Sequence, residues 1–292
     1  MKRVEVEEGY RAIQADLAAA LENLDGISRF RREEWRRDGG GGGESWTLSG
    51  DGPLERAAVN VSAVWGEMDP KSAERLEVPG TGYYATGVST IVHPRDPHAP
   101  TFHANLRYFE TDESAWFGGG ADLTPYYLFP EDARHFHATL RRTCDHHDVA
   151  RYDEWKAACD RYFYLPHRGE ARGVGGIFFD RLTESPAEVW DLQRRVGGAL
   201  TEAYIPILDE RVGTRHDESH VRWHELRRGR YVEFNLVWDR GTRFGLETGG
   251  RTASVLASLP PRARWDESYQ PPAGSPEAEL LTLLRGDPRD WR

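Results

Sequence analysis

Lysine is almost missing from this 292-residue chain: Lys2, Lys71 and Lys156 are the whole set, so arginine supplies nearly all of its positive charge. Arginine's planar fork suits two-point recognition of carboxylates, but genomic base composition produces the same bias, so each arginine is weighed by its position. Cysteine is equally scarce. Cys144 and Cys159 have neither a CxxC nor a zinc-ribbon spacing, which predicts two free thiols in a reducing, cytoplasmic setting. No run of eighteen apolar residues is present, which excludes a hydrophobic membrane-spanning helix. The opening MKRVEVEEGYRAI has no apolar stretch of the kind a secretory signal needs, so none is expected. A formal charge of −10 argues against a general nucleic-acid binder. What the chain does have is 38% hydrophobic residues and ten tryptophans, enough for a folded core. The length suits one large domain or two small ones, and we read residues 1–292 as one.

Residues 8–24 carry apolar positions at helical spacing (Tyr10, Ile13, Leu17, Leu21, Leu24) and stop near Gly26. The run Asp38 to Gly43 cannot hold a helix and reads as a loop, most simply a flexible linker. Segment 84–93, rich in Thr, Val and Ile, predicts a strand; Pro94, Pro97 and Pro100 then force a turn. Segment 101–109 alternates strictly. Helices are predicted over 131–144, over about 153–164, and from Ser185-Pro-Ala-Glu188, a capping-box sequence, to about Arg211. Tyr231–Trp238 and Thr252–Leu259 read as strands, and a last helix runs from Ser275-Pro276 to about Gly286. Strands in hairpins with helices between the groups predict an α+β fold with an antiparallel sheet. There is no internal repeat.

The strand 101–109 carries the strongest local signal. One face is Phe102, Ala104, Leu106 and Tyr108; the other is Thr101, His103, Asn105, Arg107 and Phe109. A proton-transfer group, an amide and an anion binder thus line up at period two. Pattern alone leaves two readings open, a site or a solvated face. A simple hairpin through 94–100 pairs Val92 with Phe102, and then sets Ser89 opposite Asn105, Ile91 opposite His103 and His93 opposite Thr101. On helix 131–144, His135 and His137 diverge, so they cannot act as an i,i+4 metal pair. His137 falls on the apolar stripe and reads as a hydrogen-bonded core residue. His167 reads as a cation near a helix end, and His146, His147, His216 and His220 as surface residues. Three glycine-rich turns sit beside Arg or Asp: Phe117–Pro125, Arg172–Asp180 and Thr248-Gly-Gly-Arg251. None matches a phosphate loop or a dinucleotide fingerprint. Backbone N–H groups next to arginine suit a ligand with several negative groups.

Longer motifs resemble the oxygen-dependent coproporphyrinogen III oxidases. They are Gly87-Val-Ser-Thr-Ile-Val-His-Pro94, Thr101-Phe-His-Ala-Asn-Leu-Arg-Tyr-Phe109, Trp116–Pro125, Tyr162–Arg168, Arg172–Asp180, Tyr231–Thr242, Phe244–Arg251 and Ser258–Pro261 with Trp265. They occur in order across residues 38–291; the first 37 residues are the least diagnostic. The resemblance implies a large flat antiparallel sheet sandwiched between helices, in a homodimer. It also implies oxidative decarboxylation of two propionates of coproporphyrinogen III to vinyl groups, giving protoporphyrinogen IX in haem biosynthesis. Dioxygen would be the co-substrate, with no flavin, haem or nicotinamide. By position, Ser89, Asn105, Leu106, Arg107, Gly249, Gly250 and Arg251 resemble the family's substrate-binding elements. Arg172 is a further candidate for the propionates. His103 matches a proton donor, and Asp122, Asp239 and Arg240 match groups near the reacting pyrrole. His93, His103, His137 and His167 match four histidines described as divalent-metal ligands in bacterial members. Two departures stand out: Glu110–Ala115 is short for the family, and His224 stands where Gln is common. A tetrapyrrole carrier and a metal-dependent oxygenase or hydrolase are the competing readings.

Overall fold

The computed structural model describes residues 2–68, 70–75, 78, 80–247 and 250–292. A 23-residue helix, α1 (Arg3–Asp25), opens the chain and buries Val6, Tyr10, Ile13, Leu17 and Leu21, the stripe its spacing predicts. It ends at Gly26, whose φ of 71° is the left-handed conformation glycine adopts freely. Six strands follow: β1 (Arg31–Arg36), β2 (Gly41–Leu48), β3 (Leu54–Glu67), β4 (Gly82–Pro94), β5 (Thr101–Thr111) and β6 (Ala115–Thr124), with the short α2 (Pro70–Arg75) after β3. Helices α3 (Pro130–Cys144) and α4 (Tyr152–Tyr162) come next, then the small hairpin β7 (Tyr164–Leu165) and β8 (Glu170–Ala171). Strand β9 (Gly175–Leu182) closes a seven-stranded sheet of order β1-β2-β3-β4-β5-β6-β9, antiparallel at every pairing. The fold is α+β, as expected.

One face of this sheet is the main core. Val59, Val61, Val88, Phe102, Leu106, Phe117 and Ile177 pack there with residues of α1, α3 and α5 (Pro186–Arg211). Phe102 stacks on Tyr204 with ring centroids 4.6 Å apart. Pro186 takes the first helical position of α5, but Ser185 sits in the left-handed region and makes no side-chain cap, so the capping-box motif is not used. The opposite face is covered in part by α6 (Glu218–Glu233) and the segments after it. These are α7 (Arg240–Glu247), α8 (Thr252–Val255), and Leu256–Ser258, a 3-10 turn. There Ala58 and Ile91 meet Tyr231 and Ala257. The last helix is α9 (Pro276–Arg285), capped by Ser275. Among the described residues no helix is long and apolar enough to cross a membrane.

Three expectations fail. The glycine run is no linker: the chain turns at Arg37–Gly40, and Gly41–Gly43 enter β2 in register with both β1 and β3. A Cβ on Gly43 would lie 2.7 Å from the Trp35 ring and 2.3 Å from the Val61 carbonyl, so bare backbone is what lets Trp35 lie across it. Tyr231–Trp238 is not a strand; α6 continues to Glu233 and passes into a π-helical turn, Phe234–Trp238. The buried residues Trp223, Arg227, Tyr231 and Phe234 do repeat at helical spacing. The stripe is masked because Arg227 and its neighbour Arg228 are buried against Glu170 and Glu55. Thr252–Leu259 also forms helical turns rather than a strand, presenting the small Ala257 to the sheet.

Candidate active site

The β4–β5 hairpin takes the predicted register, with Val92 opposite Phe102, Ile91 opposite His103 and Ser89 opposite Asn105. Residues opposite each other in a sheet share a face, so the pairings extend across all seven strands. One row runs Glu33, Ser45, Asn60, Ser89, Asn105, Gly120, Phe178. The next contains Ser62, Gly87, Arg107 and Gly118, and on the other side lies Ala58, Ile91, His103, Asp122 and Gly176. This face is therefore polar and bare, where the opposite one is apolar and filled. At about 4.8 Å per strand, Ser45 to Gly120 spans about 19 Å. Asn60 Oδ1 is buried on it without a hydrogen-bond partner. Ser45 and Asn60 escaped the sequence reading, although Ala-Val-Asn-Val-Ser-Ala-Val, residues 58–64, carries the alternation that shows Asn60 and Ser62.

His103 stands on this face beside Asp122 of the neighbouring strand. Its Nδ1 lies 2.8 Å from Asp122 Oδ1, and Asp122 Oδ2 accepts from Arg172 Nη2 at 2.7 Å. Asp122 and Arg172 are each 2% exposed, whereas the His103 side chain is 27% exposed. Burial alone would raise the Asp122 pKa, but the Arg172 charge and the His103 hydrogen bond hold it below the usual carboxylate range. Arg172 is sandwiched among Phe163, Tyr231 and Phe234 and donates its other nitrogen to Asn235 Oδ1. A buried carboxylate that accepts a hydrogen bond from Nδ1–H leaves the imidazole lone pair on Nε2. Among the described residues no hydrogen bond engages that Nε2.

Arg107 donates to Asn105 Oδ1 at 2.9 Å and pairs with Asp180, also at 2.9 Å. Its guanidinium lies over Gly118, where a Cβ would come within 2.8 Å of Nη2 and 2.5 Å of Asp180 Oδ1. Leu106 points into the core, so only its backbone belongs to the open face. At one end of the polar row, Arg251 bonds Glu33, Ser45 and Ser254. Gly250 lies beside it and Gly249 lies outside the described residues. At the other end Tyr162 stacks on Phe178 at 4.4 Å and donates to Asp239 Oδ1 at 2.8 Å. Asp239 Oδ2 is taken by the Thr242 backbone and hydroxyl, and the exposed Arg240 lies over the Tyr162 ring. Leu236, Val237 and Trp238, exposed in the π-helical turn, adjoin this end.

The four histidines matched to metal ligands are not gathered. His93 is fully buried, with Nδ1 on Thr101 Oγ1 and Nε2 on the Ser258 carbonyl. His137 likewise has both nitrogens engaged, by Tyr152 and the Val174 carbonyl, and burial pushes its pKa down to about 4. His167 sits in the β7–β8 turn rather than at a helix end, between Glu233 and Trp238. These four do not fit one ion. Among the described residues the three-ligand group that does converge is Asp96, His98 and His216.

The sequence model for coproporphyrinogen III oxidase matches residues 5–291, nearly the whole chain. The chain belongs to the coproporphyrinogen III oxidase family. Membership fixes the general chemistry, oxidation of a tetrapyrrole in porphyrin and haem biosynthesis, and its substrate as coproporphyrinogen III.

Proposed function

We propose that this chain carries out the oxygen-dependent form of the family reaction, converting two propionates of coproporphyrinogen III to vinyl groups and giving protoporphyrinogen IX. In each conversion the carboxylate leaves as carbon dioxide and its bonding electrons form the vinyl double bond. The β C–H bond breaks as well; its hydrogen leaves as a proton and its two electrons pass to dioxygen, which takes up two protons to become hydrogen peroxide. The substrate ring is electron-rich, so the protein's part is to hold it, exclude water and move protons. The observation that carries this reading is the His103–Asp122–Arg172 chain, whose exposed end is a histidine nitrogen on a flat face bared by Gly87, Gly118 and Gly120. His103 is the proton-transfer group and Asp122 its positioning partner. Asp122 is too buried to meet the pyrrole itself. Arg107, Arg240 and Arg251 are the propionate-facing cations, at the centre and the two ends of that face. Ser89, Asn105 and the Gly250 backbone add polar contacts. Arg172, wholly buried, acts through Asp122.

Dioxygen is the only co-reactant in this reading; flavin, haem and nicotinamide take no part. We read the protein as a cytoplasmic homodimer, for which the exposed Leu236, Val237 and Trp238 offer an apolar surface. The test is turnover of coproporphyrinogen III in air and under anaerobic conditions, with metal analysis of the same sample. Protoporphyrinogen formation in air alone is expected. Oxygen-independent turnover, or tight binding without turnover, would overturn the reading, the latter in favour of a carrier.

A further inference from the structure

The turn between β4 and β5 holds a group that the oxidase chemistry leaves unused. Asp96 and His98 flank Pro97 in that turn, and His216 reaches them from the connection between α5 and α6. One ligand atom from each of the three lies within 4.8 Å of the other two. Asp96 is 5% exposed and His98 is 8% exposed, so two of the three donors are built into the interior. Asp96 Oδ1 accepts from the His98 backbone N–H at 2.9 Å and faces His98 Nδ1 at 3.0 Å. Asp96 Oδ2, by contrast, is buried with no hydrogen-bond partner, and His216 Nδ1 stands off at 3.6 Å. A buried carboxylate oxygen left unpaired is unfavourable, and its presence in a fold asks for an explanation.

The surroundings answer in the same terms. His98 Nδ1 faces a carboxylate and His216 Nδ1 lies 2.8 Å from the Thr214 carbonyl. Both histidines meet Asp96 through Nδ1, so a cation there would displace the Nδ1 protons and take these two nitrogens together with Asp96 Oδ2. The His98 ring is braced by stacking on Tyr127 at 4.8 Å, and His220 lies 5.2 Å from it on the first turn of α6. Two imidazoles and one carboxylate suit a borderline cation such as zinc; calcium and magnesium take all-oxygen shells. We propose that Asp96, His98 and His216 form a divalent transition-metal site, suited to zinc, that ties the β4–β5 turn to the entry of α6. Such a tie would clasp the hairpin whose strands carry Ser89, His103, Asn105 and Arg107. It shares no residue with the four dispersed histidines or with the candidate active site.

The test is equilibrium dialysis of the full chain against zinc chloride, with zinc counted per chain, beside thermal melting with and without zinc. His216→Ala and Asp96→Asn are the variants; His216 is exposed, so its replacement leaves the core intact. The wild-type chain is expected to bind one zinc and to melt higher with it. Each variant should lose affinity by at least the roughly 10–100-fold that removal of an outer-shell partner alone costs. Metal-free melting of His216→Ala should match that of the wild type. Zinc binding to His216→Ala with unchanged affinity, or none to the wild type, would overturn the proposal. If Asp96→Asn does not fold, His216→Ala decides. No turnover is read, so the outcome is independent of the oxidase reading.

Discussion

The two faces of β5 belong to the same eleven residues and have opposite fates. Phe102, Ala104, Leu106 and Tyr108 are closed off by α1, α3 and α5 and held mainly by apolar contact, with one hydrogen bond from the Tyr108 hydroxyl to Glu110 at 2.8 Å. On the other face His103 and Arg107 keep 27% and 33% of their side-chain surface, and each is held by a carboxylate from another strand, Asp122 on β6 and Asp180 on β9. The first face converts burial into stability; the second uses a chain of polar partners to hold a few groups in place beside open space. The difference teaches that the site's rigidity comes from charge pairing beneath it rather than from packing around it.

Replacements ought to separate the faces. The largest loss is expected where the open face is anchored: Arg172→Leu leaves Asp122 buried with only His103 against its charge, which should cost about 3–5 kcal/mol in urea unfolding. A loss within experimental error would show that the pair does not anchor His103. Leu106→Ala should cost about 2–5 kcal/mol through the cavity it leaves, while the folded fraction retains its turnover. A change in KM for Leu106→Ala would blur the division between faces. Next comes pH. Burial holds His137 neutral, with its pKa near 4 instead of 6.5, so the unfolded chain takes up a proton more readily between those values. Stability from this group is complete above about 6.5 and falls away toward pH 4, by at most about 1.4 kcal/mol per pH unit. His137→Gln should flatten the acid side of the stability profile by that amount; an unchanged slope would contradict it. The smallest stability effect belongs to Arg107→Ala, about 1 kcal/mol or less for a partly exposed pair. Its KM for coproporphyrinogen III should nevertheless rise, and an unaltered KM would remove Arg107 from the propionate contacts.

Much of the site was legible because β5 alternates without a flaw and its turn is set by three prolines. That fixed the register and placed Ser89 beside Asn105. The family motifs added Asp122, Asp239 and Arg251, which no local pattern could bring to one face, since strand order across a sheet is not written in any one strand. The π-helical turn was illegible for a different reason: Tyr231–Trp238 is rich in β-prone residues, and the helical stripe behind it is built from buried ion-paired arginines that look like surface. Glycines 41–43 resembled a linker because a sheet position that admits only bare backbone and a flexible loop select the same residue. His216 looked like surface, and in exposure it is; its neighbours Asp96 and His98 lie 120 and 118 positions earlier in the chain, so their convergence on it left no local sign in the sequence.

The most direct test of the central claim is the turnover number of His103→Gln with saturating coproporphyrinogen III in air, with its melting temperature measured alongside. Proton transfer by this residue predicts a fall of about 10²–10⁴-fold with the fold retained. Turnover close to that of the wild type, from a protein that melts normally, would contradict the account.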